Sequence, residues 1–85
     1  MANPAWKVAT DIAEGYVMLN PPFLKKYERH EVDALSKEME KLARDLRGLV
    51  VAPDDSEGVQ AKNRKLLRLS QAAVVLQNWR VRMGK

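Results

Sequence analysis

The sequence predicts an all-α fold in which two long helices form an antiparallel hairpin and a shorter helix precedes them. Apolar residues recur at helical spacing in three segments, and the four prolines stand at or between the ends of those segments. The chain has 85 residues and no cysteine, so one domain with a thin core is expected and no disulfide reinforces it. Because a thin core stabilises a small domain only weakly, association with a second copy is expected, and the predicted architecture is a homodimeric helical bundle.

The first helix is predicted over residues 4–19. Asn3 suits the N-cap, and Pro4 suits the first helical position because its missing N–H would be unpaired there anyway. Apolar side chains cover about half of the helix circumference, which indicates an amphipathic helix packed on its neighbours. Pro21 and Pro22 end the segment, because residues that precede proline avoid helical backbone angles.

The second helix is predicted over residues 30–49, after a connector in which Phe23 and Tyr27 are expected to cap the end of the core. Its apolar residues alternate between spacings of three and four, as in the seam of a coiled coil. The seam consists of Val32, Leu35, Met39, Leu42, Leu46 and Leu49. Such a seam requires a matching helix to pack against.

The third helix is predicted over residues 55–83 and supplies that match. Asp54 and Glu57 resemble a capping box at its start. Its main apolar stripe comprises Leu66, Leu69, Ala73, Leu76 and Met83. Because a short loop joins two matched stripes, the second and third helices are expected to pack as an antiparallel hairpin.

The third helix carries more apolar residues than one hairpin seam requires, and it also carries a line of polar residues. A second set of apolar residues is predicted to form the interface between two copies: Leu67, Val74, Val75 and Val81. A line of polar residues is predicted to be exposed and to meet a partner: Arg64, Arg68, Gln71, Asn78 and Arg82. No acidic residue follows Glu57, so these arginines have no local neighbour of opposite charge.

The charge of the chain is unevenly distributed. Residues 1–60 hold eight Lys/Arg and eleven Asp/Glu, whereas residues 61–85 hold seven Lys/Arg and no acid, and the whole chain has a net charge of +4. A basic helix of this kind suits an acidic or mixed protein surface, nucleic-acid phosphates or an anionic membrane, or is simply a solvated face. The matched seam argues against membrane binding, because the second helix is expected to cover the apolar stripe of the third. Trp79 is the only aromatic residue of the third helix, and one ring is too few to stack a series of unpaired bases.

The sequence contains little that predicts catalysis. His30, Glu31 and Asp33 place an imidazole and two carboxylates in one helical turn, but at the start of a charged helix, where solvation and the helix dipole explain them. The four glycines are isolated, so no phosphate-binding loop is predicted, and a lone histidine without cysteine predicts no metal site. We therefore expect a protein that is not an enzyme and needs no cofactor.

The preferred interpretation is a small protein-interaction module, such as an adaptor, a regulatory subunit or an assembly factor, that acts through its basic C-terminal helix. The alternative is a protein that binds nucleic acid independently of sequence through the same helix. No transmembrane segment and no secretory signal is predicted, and a cytoplasmic location is expected.

Overall fold

The computed structural model describes residues 4–83, so the predicted N-cap at Asn3 lies outside the described residues. Its helices are α1 (Ala5–Glu14), α2 (Pro21–Leu24), α3 (Arg29–Arg47) and α4 (Ser56–Met83). Residues 4–83 form no strand, and the all-α prediction is confirmed for this part of the chain.

Helix α1 ends at Glu14, five residues before the predicted end. Gly15 adopts a left-handed conformation with φ of 86°, which costs glycine little. Its N–H donates to Ile12 O at 3.1 Å, and the N–H of Tyr16 reaches back to Asp11 O at 2.9 Å. These are the two bonds of a Schellman motif, which satisfies the last carbonyls of a helix. The apolar residues that follow Gly15 therefore belong to a loop.

The starts of the helices also differ by small amounts from the prediction. Pro4 directly precedes α1 and does not occupy its first position. The Asn20 side chain accepts a hydrogen bond from the N–H of Phe23 at 2.9 Å and caps α2, a single helical turn within the predicted connector. At α4 the cap is Asp55 rather than Asp54, since Asp55 Oδ1 accepts from the N–H of Gly58 at 3.0 Å.

Helices α3 and α4 run in opposite directions, and α1 packs against both of them. The start of α3 meets the end of α4 through Asp33 and Arg80, while Lys62 near the start of α4 reaches the carbonyls of Arg47 and Leu49 at and just beyond the end of α3. The buried core contains residues of all four helices and of one loop: Val8, Ala9, Ile12, Ala13, Leu19, Leu24, Val32, Leu35, Met39, Ala43, Leu69, Ala72 and Leu76. Phe23 and Tyr27 are partly buried against this core, and their rings lie edge to face with centroids 5.3 Å apart.

The predicted seams are buried only in part. Leu49 lies beyond the end of α3 and is 53% exposed. In α4 the buried alanine is Ala72, whereas Ala73 of the predicted stripe is exposed. The reason is that α4 faces α1 as well as α3, so its buried side is turned toward α1 by part of a helical turn.

Replacement of Gly15 by alanine should lower the free energy of unfolding by about 1–2 kcal/mol, because a left-handed backbone is strained for any residue with a Cβ. The added Cβ would also lie 3.0 Å from Cζ of Arg68. Gly48→Ala is the matched control, since φ there is −81° and the new Cβ would meet only ordinary contacts at 3.7 Å. That variant should keep its stability or gain up to about 1 kcal/mol. Urea unfolding at one protein concentration measures both, and equal losses would contradict this account.

Candidate interaction surface

The basic residues of α4 mostly bind to the rest of the chain. Lys62 Nζ donates to Leu49 O at 3.0 Å, just beyond the C-terminal end of α3, where the helix dipole favours a cation. Lys65 Nζ lies 2.9 Å from a carboxylate oxygen of Glu14 at the end of α1. Both lysines therefore hold α4 to the neighbouring helices.

Two arginines have the same role. Arg80 Nε lies 3.1 Å from Asp33 Oδ1 at the start of α3. Arg68 is half-buried, and its guanidinium donates to Ala13 O at 3.0 Å while it lies over Gly15. The predicted exposure of Arg68 is therefore wrong, because the early end of α1 leaves a carbonyl that this side chain satisfies.

Most of the basic groups of α4 are thus engaged within the fold, two with carboxylates and two with backbone carbonyls. Four of the six Lys/Arg between residues 62 and 82 contact α1, α3 or the segment after α3. Arg64 and Arg82 are exposed and have no partner among residues 4–83. They are 18 residues apart, or about 27 Å along the helix. The cationic surface that remains is two separated guanidinium groups rather than a continuous stripe.

Three apolar side chains of α4 form a ridge on its solvent side. Leu67, Val74 and Val81 are 57%, 60% and 54% exposed, and their spacing of seven residues keeps them on one face. Val75, predicted to belong to the same interface, is half-buried against the core and points about 100° away from Val74. The ridge therefore consists of Leu67, Val74 and Val81 alone.

A cleft of about 320 Å³ between α3 and α4 lies beside the ridge, on the side away from α1. Its lining includes the small side chains Ser36, Ala43, Ser70 and Ala73. Small residues let the backbone of another helix approach closely. Ridge and cleft are therefore a convex and a concave surface side by side, the ridge on α4 and the cleft between α4 and α3.

A second concave surface lies on the other side of α4, which we call the loop groove. Its wall on α4 consists of Arg68, Gln71, Val75, Asn78, Trp79 and Arg82, and its opposite wall is the segment 15–24. The groove has two parts of about 310 and 230 Å³ that share Val75. Four of the five residues of the predicted polar line thus lie along one groove, and only Arg64 lies outside it.

The predicted imidazole–carboxylate group does not converge. Asp33 pairs with Arg80, whereas His30 Nδ1 lies 3.3 Å from a carboxylate oxygen of Glu28 in an exposed position. Glu31 accepts a hydrogen bond from the N–H of Glu28 at 3.0 Å, and this bond lowers the pKa of the Glu31 carboxyl. Glu28, His30 and Glu31 offer ligand atoms within 4.8 Å of one another, but Glu31 is engaged in the start of α3.

Removal of the Arg68 side chain should destabilise the protein, although the sequence places Arg68 on an exposed polar line. Arg68→Ala should cost about 1–2 kcal/mol, because Ala13 O loses a charged donor in a half-buried site. Arg64→Ala is the control, because Arg64 is exposed and without a partner among the described residues, and it should change stability by less than about 0.5 kcal/mol. Urea unfolding measures the free energy of unfolding of the two variants, and equal values would show that the Arg68 contact does not hold α1.

Comparisons of the chain with protein families, curated proteins and solved structures find no match. Within residues 4–83, each helix is too short or too polar to span a membrane. A fold does not by itself imply a function, so the surfaces of α4 carry the functional inference.

Proposed function

We propose that this protein is a non-enzymatic interaction module of the cytoplasm that pairs with a second copy through α4 and presents the polar line to another protein. The observation that carries the proposal is the ridge, in which three large apolar side chains are each more than half exposed on one helix face. An exposed apolar surface on a small folded chain is typical of a binding site.

The surroundings of the ridge support burial by protein. From Leu69 to Trp79 the sequence has no charged residue, although 31% of the whole chain is charged. Depletion of charge is typical of the centre of protein interfaces. On the cleft side of the ridge the neighbouring residues are Ser70 and Gln77, which can hydrogen-bond across an interface without bringing a charge into it.

The arrangement of ridge and cleft supports a second copy as the partner. In an antiparallel pairing centred on Val74, the two Val74 side chains meet and Leu67 of each chain faces Val81 of the other. The same two-fold axis places each ridge next to the cleft of the opposite chain. The pairing would give a bundle of α3 and α4 from both chains, with α1 of each chain on the outside.

The nucleic-acid alternative has less support. Tight sequence-independent binding requires several cations aligned with phosphates. On α4, Arg64 and Arg82 have no partner within residues 4–83 and are about 27 Å apart, and Arg68 between them has already given one terminal nitrogen to Ala13 O. We therefore propose protein, and not nucleic acid, as the partner of this helix.

Val74→Glu should convert the dimer into a monomer, because two carboxylates would meet at the centre of the pairing with no cation nearby. Sedimentation equilibrium should report twice the mass of one chain for the unaltered protein and a single chain mass for the variant. Val50→Glu is the matched control, since Val50 is 92% exposed in the loop between α3 and α4, and this variant should remain dimeric. A monomeric unaltered protein at micromolar concentration would refute the self-association.

A further inference from the structure

We propose that the loop groove binds an amphipathic helix of another protein, one that carries an apolar stripe flanked by carboxylates. The inference rests on the proposed interaction function and specifies the chemistry of its partner. The groove lies on the side of α4 away from the cleft, so a second copy seated on the ridge leaves it open.

The size and floor of the groove suit apolar side chains. It follows α4 from Arg68 to Arg82, about 21 Å, which corresponds to roughly four turns of a partner helix. Its floor includes the buried side chains of Ile12, Leu19 and Ala72. The combination of an apolar floor with a few polar groups at the edge is typical of sites that bind an amphipathic helix.

The charge of the groove selects the partner. Its described lining contains Arg68 and Arg82 and no carboxylate. The cleft between α3 and α4, by contrast, is lined by one acid and one base, Glu40 and Arg47. Arg82 has no partner within residues 4–83, and Arg68 uses one terminal nitrogen for Ala13 O. Carboxylates near the two ends of a bound helix would pair with these guanidinium groups, which bind carboxylates in two-point geometry.

The opposite wall of the groove carries exposed apolar residues. Met18 lines the groove and is 81% exposed, and Tyr16 in the same loop is 79% exposed. Met and Tyr are both enriched in the centre of protein interfaces, and Met adapts its shape to different partners. A helix seated in the groove would cover Met18, and Tyr16 lies in the same loop beside it.

Trp79 supplies an independent observation. Its Nε1–H is buried and has no hydrogen-bond acceptor among the described residues, although Trp79 lines the groove. A buried donor without an acceptor costs free energy. A polar oxygen of a partner, reached by a small rotation of the indole, would supply the acceptor. Nucleic acid does not suit this site, because phosphates and sugars are polar and would not pack favourably against its apolar floor.

The test uses the 85-residue chain with Trp6→Phe, which leaves Trp79 as its only tryptophan; Trp6 is 60% exposed and lines no part of the groove. The probe is a capped synthetic helix of four turns, with leucines at alternating spacings of three and four and glutamates near both ends. A second peptide has lysine in place of every glutamate. We expect the acidic peptide to change Trp79 emission saturably in the micromolar range and the lysine peptide to bind at least about tenfold more weakly.

Paired variants locate the binding. Arg82→Glu and Gln71→Glu, in the groove, should each weaken the acidic peptide about tenfold, whereas Arg64→Glu and Gln60→Glu, on the same helix outside it, should change affinity less than about threefold at physiological salt. The proposal is overturned if the acidic peptide does not bind, if both peptides bind equally, or if Arg64→Glu and Arg82→Glu weaken binding equally.

Measurements of mass separate this proposal from the self-association. If Arg82→Glu abolishes the dimer, a second copy fills the groove and the proposal fails. If Val74→Glu is monomeric and still binds the acidic peptide, the groove acts independently of the ridge, as we expect. If sodium decanoate binds saturably but the peptide does not, the groove takes a small carboxylate amphiphile, and the partner helix is rejected.

Discussion

The contact between Arg68 and the end of α1 lies where the early end of α1, its position on α4 and the loop groove meet. Gly15 ends α1 with a left-handed turn, and the half-buried Arg68 side chain satisfies Ala13 O at that end. The contact adds to the apolar packing of α1 on α4, and the same turn directs the chain into the segment that forms the second wall of the loop groove. Without an early end to α1, apolar residues 16–19 would continue the helix and no groove would form.

The long elements of the fold could be predicted from apolar periodicity, because α3 is strongly amphipathic and α4 is long and carries a stripe that matches it. The ends of the helices were harder to predict from the sequence. The apolar residues after Gly15 continue the periodicity of α1, so the pattern alone extends the helix, whereas Gly15 followed by Tyr16 is the local signal of a left-handed end. Ala72, and not Ala73, lies in the core because α4 packs against both α1 and α3, whereas the predicted stripe was matched to α3 alone.

The contacts of the basic residues on α4 could not be predicted from their neighbours in the sequence. A search for neighbours three or four residues away finds no acid near Arg68 or Arg80, yet both are engaged with residues more than forty positions distant. The antiparallel register, once predicted, could have placed Asp33 opposite Arg80, but the role of Arg68 depends on where α1 ends. Local charge counting therefore overstated the cationic surface, while the exposed side chains of the ridge follow directly from the excess of apolar residues over the hairpin seam.

Helix α4 is unequally supported along its length, with a consequence for the dynamics of the chain. All of its buried residues lie at Leu69 or later, and its first turns extend past the end of α3, held there by Lys62 and by the loop that carries Val51. Local opening of a helix follows the apolar contacts it would lose, so backbone amides of the first three turns should exchange with solvent sooner than those between Leu69 and Leu76. The central part of the ridge and of the groove thereby lies on the best-supported part of α4, and a partner would meet a surface that is already ordered there.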